Sequence, residues 1–207
     1  MRSARRKKYI MYSLLLYFFF MELTWTIVNL LSWLTVVADV LIALVLILFV
    51  MRAVSKKSPA PLQWIDRHAL VLMLIVAIVA TCGSLFLSDI AGWTPCKDCW
   101  YQRIFMYPQV ILLAIALWRR DRGIVVSILV LSIIGILISI DHYHDQLELI
   151  WNPSTAAVPC DASGVSCAKT PTLKLGYITI PMMAMSAFGL NILASITVLI
   201  HRLRKTA

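Results

Sequence analysis

The chain has 207 residues, of which 61% are hydrophobic and 14% are charged, and its formal net charge is +9. A soluble globular domain is about half apolar and about one quarter charged, so this composition argues against a soluble protein. The apolar residues form long runs with few charges, as membrane spans do. The basic residues lie in short blocks beside those runs, which favours a membrane protein over a nucleic-acid-binding one.

The chain begins with a basic tail and a long apolar run. Five basic residues lie between positions 2 and 8, and the run at 9–51 contains 43 residues. That length is about twice the ~20 residues that cross a hydrocarbon core. We therefore divide the run at its most polar patch, 29–32, and predict a two-helix transmembrane hairpin. A basic segment that contains prolines, 52–68, is predicted to be a linker.

Four more spans are predicted at 69–87, 100–118, 124–140 and 178–200, which makes six in all. With both termini in the cytoplasm, 15 of the 19 lysines and arginines lie on the inner side, as the positive-inside rule requires. We expect no cleaved signal peptide, because the first run is too long. The sequence thus predicts an all-α integral membrane protein. Its tail, hairpin and linker occupy residues 1–60, and a four-helix bundle occupies residues 61–207.

Four of the five cysteines form two close pairs outside the apolar runs. Cys96 and Cys99 precede the fourth predicted span, and Cys160 and Cys167 lie in the loop before the sixth. The predicted topology places both pairs on the outer face, where the bacterial environment is oxidising and disulfides persist. Such a set indicates redox chemistry or metal binding. The fifth cysteine, Cys82, lies within a span and is expected to be an inert packing residue.

The Cys96-Lys-Asp-Cys99 motif is expected at the N-terminus of a helix, where backbone N–H groups and the helix dipole stabilise a thiolate. Arg103 follows Cys99 by four residues, so both lie on one helical face. The arginine could favour a Cys99 thiolate and donate a hydrogen bond to a carbonyl oxygen of a ligand. It could instead only extend towards lipid headgroups. A CxxC motif by itself also fits a zinc site.

The second pair is separated by a turn-forming stretch that contains Gly164. An exposed disulfide in a loose loop is easily reduced and can accept electrons from an incoming thiol, although it could also be a structural staple. Two dithiols on one face would form a relay that starts at the loop pair and ends at the CxxC pair. The acceptor must then be reachable from the bilayer and carry two electrons, as a lipid-soluble quinone does.

The segment at 96–108, Cys-Lys-Asp-Cys-Trp-Tyr-Gln-Arg-Ile-Phe-Met-Tyr-Pro, resembles the bacterial disulfide-formation membrane proteins, DsbB and especially the shorter BdbC type. The segments 83–88, 140–143, 163–167 and 177–181 are similar to that family too. The resemblance covers about residues 70–200, which is four spans. The N-terminal hairpin and the length of the loop at 145–159 depart from it. We expect that loop to form a short amphipathic segment on the membrane surface, with an ordinary loop as the alternative.

The resemblance implies a protein-dithiol:quinone oxidoreductase in the bacterial cytoplasmic membrane. It would reoxidise a DsbA- or BdbD-like thioredoxin-fold protein on the outer face and pass the electrons to ubiquinone or menaquinone. No metal, haem or nucleic acid is expected. Two readings from other classes stay open, namely a membrane protein with zinc on four thiolates, and a non-catalytic membrane subunit.

The resemblance also implies a role for each matching residue. The partner protein would attack Cys160, and Cys167 would exchange with Cys96. Cys99 would be the thiolate in contact with the quinone ring. The quinone would be bound by Arg103 and by His142, which could otherwise be an interfacial histidine facing water.

Two carboxylates in the predicted hairpin, Glu22 and Asp39, would lie ~12 Å deep if the chain turns near residue 30. Carboxylates at such depth usually face protein or water. We expect them to face each other or the four-span core, with lipid-tolerated positions as the alternative.

Overall fold

The computed structural model describes residues 2–55, 59–153, 159–162 and 164–206, although not the side chains of 2–17 and 205–206. Its regular elements are helices, which confirms the all-α prediction. They are α1 (Arg2–Ser55), α2 (Ala60–Leu85), α3 (Lys97–Arg119), α4 (Val125–Trp151) and α5 (Ile180–Thr206), with a π-helical turn, Phe86–Ile90, directly after α2.

Four of these helices are long and apolar enough to cross a membrane, namely α1, α2 with its π-helical turn, α4 and α5. These helices confirm the prediction of a multi-pass membrane protein. The remaining helix, α3, has 23 residues and includes Gln102, Arg103 and Gln109. Gln102 and Gln109 are buried and Arg103 is half-buried, so these three polar side chains of α3 face the protein interior.

The predicted N-terminal hairpin is wrong, because α1 continues as one helix through residues 29–32. The segment has no glycine or proline to break the helix. Polar side chains in and just after this segment bond to their own preceding turn instead. Ser32 Oγ donates to the Val28 carbonyl oxygen at 2.7 Å, and Thr35 Oγ1 donates to that of Leu31 at 2.9 Å. The count of six spans is therefore not confirmed. The predicted placement of both termini in the cytoplasm depends on that hairpin and is not confirmed either.

Two further boundaries differ from the prediction. The linker is shorter than 52–68, because α2 already begins at Ala60, with prolines at its N-cap and in its first turn. The helix α4 runs on to Trp151, so residues 145–151 continue a span rather than form a separate surface segment. No glycine or proline lies between Gly135 and Pro153. The rest of that predicted segment, 154–158, lies outside the described residues.

The helices α2 to α5 pack around a core that includes Met73, Leu113, Ile128 and Phe188. A buried polar cluster joins three of them. The amide oxygen of Gln109 on α3 accepts from Asn191 Nδ2 on α5 at 2.8 Å and from Ser132 Oγ on α4 at 3.3 Å. Hydrogen bonds of this kind hold helices together where lipid supplies no hydrophobic driving force.

The helix α1 packs against α5 and α2. Its contact face includes Val28, Ser32 and Thr35, which are buried and spaced three or four residues apart. Farther along, Asp39 accepts hydrogen bonds from Tyr177 Oη at 3.2 Å and from Ser186 Oγ at 2.5 Å. The prediction that Asp39 faces the core is therefore confirmed, whereas Glu22 is exposed and makes no such contact.

The bundle has two chemically different ends. At one end, Asp66 of α2 pairs with Arg122, in the loop before α4, at 3.3 Å and with His201 of α5 at 3.8 Å. The two cysteine pairs lie at the opposite end, around the start of α3 and the loop before α5. The two cysteine pairs are thus separated from the Asp66, Arg122 and His201 cluster by the length of the helices.

Candidate functional site

A cavity of about 590 Å³ opens at the cysteine end of the bundle. All five helices contribute to its wall, together with the loops before α3 and α5. Most lining side chains are apolar. Four of the six predicted site residues line it, namely Cys96, Cys99, Arg103 and His142.

The CxxC pair begins α3, as predicted. Cys96 is the N-cap residue, and its Sγ accepts a hydrogen bond from the Cys99 backbone N–H at 3.4 Å. The two Sγ atoms are 3.0 Å apart, and Cys96 is buried. Hydrogen bonds from the Cys99 thiol and from His142 lower the pKa of Cys96 to about 4. The sequence had favoured Cys99 as the thiolate, whereas these contacts stabilise a thiolate on Cys96.

The imidazole of His142 lies between the two cysteine pairs. Its Nε2 atom is 3.6 Å from Cys96 Sγ and 3.1 Å from the carbonyl oxygen of Cys167. Because a carbonyl oxygen only accepts, Nε2 carries a proton in that bond, and Nδ1 can accept from the Gln102 amide at 3.2 Å. His142 is 1% exposed, so it is not the water-facing interfacial residue of the alternative interpretation.

Cys160 and Cys167 form a disulfide. It lies over the first turn of α3, where its two Sγ atoms and a carboxylate oxygen of Asp98 are within 4.8 Å of one another. Cys160 is half-buried, whereas Cys167 is 1% exposed, so an incoming thiol reaches Cys160 more easily. The hypothesis of zinc on four thiolates is not supported, since two of the four sulfurs are bonded to each other.

Arg103 points into the protein rather than towards headgroups. Its Nε and Nη2 atoms donate to Oγ and to the carbonyl oxygen of Ser84 on α2, both at 3.0 Å. The guanidinium also lies over the Trp100 ring at 5.0 Å and the Tyr107 ring at 5.9 Å. These contacts fix a cation in the cavity wall one helical turn from Cys99.

Among the cavity residues that sequence reasoning did not assign to the site are Ser84, Trp93 and Tyr107. Tyr107 had a local signal, since it follows Arg103 by four residues and so shares its helical face. Its Oη donates to Ser84 Oγ at 3.2 Å. The pairing of Ser84 with α3 joins two helices, and no sequence spacing indicates it.

The family model described as "Disulfide bond formation protein DsbB" matches residues 66–200. The chain belongs to the DsbB family. The matched residues include all six predicted site residues and most of α2, with α3, α4 and much of α5. The helix α1 lies wholly outside the match.

Curated relatives agree with this assignment to the DsbB family. "Disulfide bond formation protein C" of Bacillus subtilis (strain 168) is 41% identical over 119 residues, which are 58% of this chain and 83% of the relative. A "Probable disulfide formation protein" of Oceanobacillus iheyensis is 34% identical over 159 residues, covering 75% of this chain and 99% of that protein. No solved structure matches the chain significantly. A general role in disulfide bond formation, and hence oxidoreductase activity, follows from the family.

Cys82 stands apart from the site of this DsbB-family chain. It is exposed on the outside of the bundle, on α2, and does not line the cavity. The expectation that it is buried in packing is therefore wrong. Its position still separates it from both cysteine pairs, so it is a suitable control residue.

Proposed function

We propose that the chain is a protein-dithiol:quinone oxidoreductase that forms disulfides. One observation carries this proposal. The Cys96 and Cys99 sulfurs line an apolar cavity together with Arg103, and His142 joins Cys96 to the loop that carries the second pair. Such an arrangement suits a relay that takes electrons from a protein and delivers them to a lipid-soluble molecule.

The cavity fits a quinone in both size and chemistry. A volume of about 590 Å³ lies within the ~300–1,000 Å³ that is usual for sites of small ligands. Its apolar wall would hold the ring and part of the tail of ubiquinone or menaquinone. Arg103 would donate to a ring oxygen, and His142 lines the same site. When bound, the quinone supplies a two-electron, two-proton acceptor.

The first exchange takes place at the loop disulfide. A thiolate of a reduced thioredoxin-fold partner, of the DsbA or BdbD kind, attacks Cys160 Sγ and breaks its bond to Cys167, which leaves as a thiolate. The partner's second thiol then attacks the mixed disulfide. The partner gains a disulfide, and Cys160 and Cys167 hold its two electrons as a dithiol.

The second exchange moves those electrons to the CxxC pair. The Cys167 thiolate attacks Cys96 of a Cys96–Cys99 disulfide, and Cys99 leaves as a thiolate. Cys160 then attacks Cys167, which restores the loop disulfide and leaves Cys96 and Cys99 reduced. The bond between His142 and the Cys167 carbonyl already holds the backbone of Cys167 beside Cys96. Cys96 and Cys99 lose two electrons and two protons when their own disulfide forms again.

We place the cysteine end on the outer face of the bacterial cytoplasmic membrane, towards the periplasm or cell exterior. The opposite end carries the arginines of the loop between α3 and α4 and of the end of α5. Such blocks stay in the cytoplasm under the positive-inside rule. The C-terminus of α5 is then cytoplasmic.

The test is quinone reduction by the purified full chain with a reduced thioredoxin-fold protein as the donor. Decylubiquinone and menadione are offered separately, and absorbance reports their reduction. We expect turnover by the wild type and by Cys82→Ser, and a loss of at least ~100-fold in Cys99→Ser, since nucleophilic sulfur carries each step. Wild-type turnover in Cys99→Ser and Cys160→Ser would rule out the cysteine relay, and no turnover by the wild-type chain itself would support a non-catalytic subunit.

A further inference from the structure

The helix α1 forms part of the wall of the cavity, although the family match begins after it. The contribution comes from Leu31. Its two methyl carbons would lie only 3.1 and 3.2 Å from a Cβ atom added to Gly83 on α2. Gly83 directly precedes Ser84, which holds Arg103. Leu31 therefore reaches the cavity beside Arg103, the proposed quinone-binding residue.

Contacts on both sides of Leu31 fix the position of α1. Towards the N-terminus, the Trp25 ring meets the Trp93 ring edge-on, with centroids 6.4 Å apart, and Lys174 Nζ lies 4.9 Å from the centre of Trp25. Towards the C-terminus, Asp39 accepts its two hydrogen bonds from Tyr177 and Ser186. The first contact joins α1 to the loop before α3, and the second joins it to α5.

A second close contact holds α1 in place farther from the cysteine end than the cavity. A Cβ atom added to Gly189 on α5 would lie 3.2 Å from the terminal methyl of Ile42 on α1. Small residues at helix interfaces let membrane helices approach closely. Leu31 and Ile42 are three helical turns apart, so one face of α1 fits against α2 at the cavity and against α5 below it.

We propose that α1 is part of the quinone site, with Leu31 as a specificity-determining residue that contacts the quinone and Asp39 as a positioning residue for Leu31. This inference rests on the proposed function and extends it to a helix outside the family match. Leu31 closes the cavity on the side of α1 with an apolar side chain, which suits a ring or prenyl tail. Its size limits how bulky a quinone the site accepts.

The neighbouring residue supplies a matched control. Leu30 has the same side chain, but it is 53% exposed on the outer face of α1 and does not line the cavity. A substitution at Leu30 changes the hydrophobicity and helix propensity of α1 as the same substitution at Leu31 does. A difference between the two positions therefore reports on the cavity.

The experiment compares Leu31→Trp and Leu31→Ala with Leu30→Trp and Leu30→Ala in the full chain. Steady-state turnover is measured with ubiquinone-1 and with decylubiquinone, and the rate of exchange between a reduced thioredoxin-fold protein and the loop disulfide is measured without quinone. We expect Leu31→Trp to raise KM for both quinones about tenfold with kcat changed by less than about twofold. Leu31→Ala should change the ratio of the two KM values, while the exchange rate and both Leu30 variants stay at wild-type values.

The role of Asp39 is tested in the same assay. Asp39→Leu removes both hydrogen bonds that fix α1, so KM should rise while the exchange rate stays unchanged. Asp39→Asn keeps an oxygen that accepts a hydrogen bond and should recover most of the wild-type KM. A purely structural role would lower exchange and turnover together in Asp39→Leu.

Two negative results are distinguishable. If the wild-type chain reduces neither quinone, the proposed function fails and this inference fails with it. If the wild type reduces quinone but Leu31→Trp has the same KM as Leu30→Trp, α1 is not part of the site and the proposed function stands.

Discussion

The imidazole Nε2 of His142 lies 3.6 Å from Cys96 Sγ, although 46 residues separate the two in the chain. The same nitrogen is 3.1 Å from the carbonyl oxygen of Cys167. One buried ring thus contacts the thiol of the CxxC pair and the backbone of the loop pair. This relationship yields the first of four predictions.

Replacement of His142 by alanine should raise the pKa of Cys96 from about 4 towards the ordinary value, because one of its stabilising hydrogen bonds is lost. In the reduced wild type, the rate at which iodoacetamide alkylates Cys96 should be nearly independent of pH above about 5. The rate should fall as the thiolate is protonated near pH 4. In His142→Ala the fall should begin at higher pH. Mass spectrometry of the Cys96 peptide measures the rate. His144→Ala, an exposed histidine on the same helix, should keep the wild-type profile.

Replacement of Arg103 by methionine should raise KM for decylubiquinone by at least about tenfold, which corresponds to ~1.4 kcal/mol of lost binding. Arg103→Lys should recover only part of the lost quinone binding, since an ammonium cannot reproduce the two hydrogen bonds to Ser84 together with one to a ligand. Exchange at the loop disulfide should not change. Arg119→Met, at the other end of α3, should behave as the wild type. An unchanged KM in Arg103→Met would remove Arg103 from the site.

A thioredoxin-fold partner with its second active-site cysteine changed to serine should form a stable mixed disulfide with Cys160. Cys167 should not form one, because it is 1% exposed. Non-reducing electrophoresis followed by peptide mapping identifies the linked cysteine. Linkage to Cys167 would reverse the order of the two loop cysteines in the relay.

Replacement of Gln109 by leucine should destabilise the bundle by ~1–2 kcal/mol, because the buried amide of Asn191 and the hydroxyl of Ser132 lose their acceptor. The double variant with Asn191→Leu should be less unstable than the sum of the two single variants. Thermal unfolding in detergent measures these differences. Strictly additive losses would show that the cluster does not act as a unit.

The sequence predicted local features of the site well. The position of the CxxC pair at the start of α3, and of Arg103 on the face of Cys99, follows from helical periodicity over eight residues. The hairpin prediction failed because serine, threonine and asparagine can either interrupt a helix or bond back to its preceding turn. Only the surroundings decide which of the two occurs.

The contacts between distant segments could not be predicted. The approach of Leu31 to Gly83, and of His142 to Cys96, depends on how whole helices cross. Residues on different helices carry no shared spacing in the sequence. Buried polar residues such as Gln102 signal that a partner exists without identifying it.

The shared pairing of Asp66 with Arg122 and His201 has a mechanical consequence for catalysis. It holds α2, α5 and the turn before α4 together at the end of the bundle that is far from the sulfur atoms. We therefore expect any rearrangement of the loop during the proposed thiol exchange to leave these contacts in place. The end of the bundle that carries Cys160 is then the end that can open.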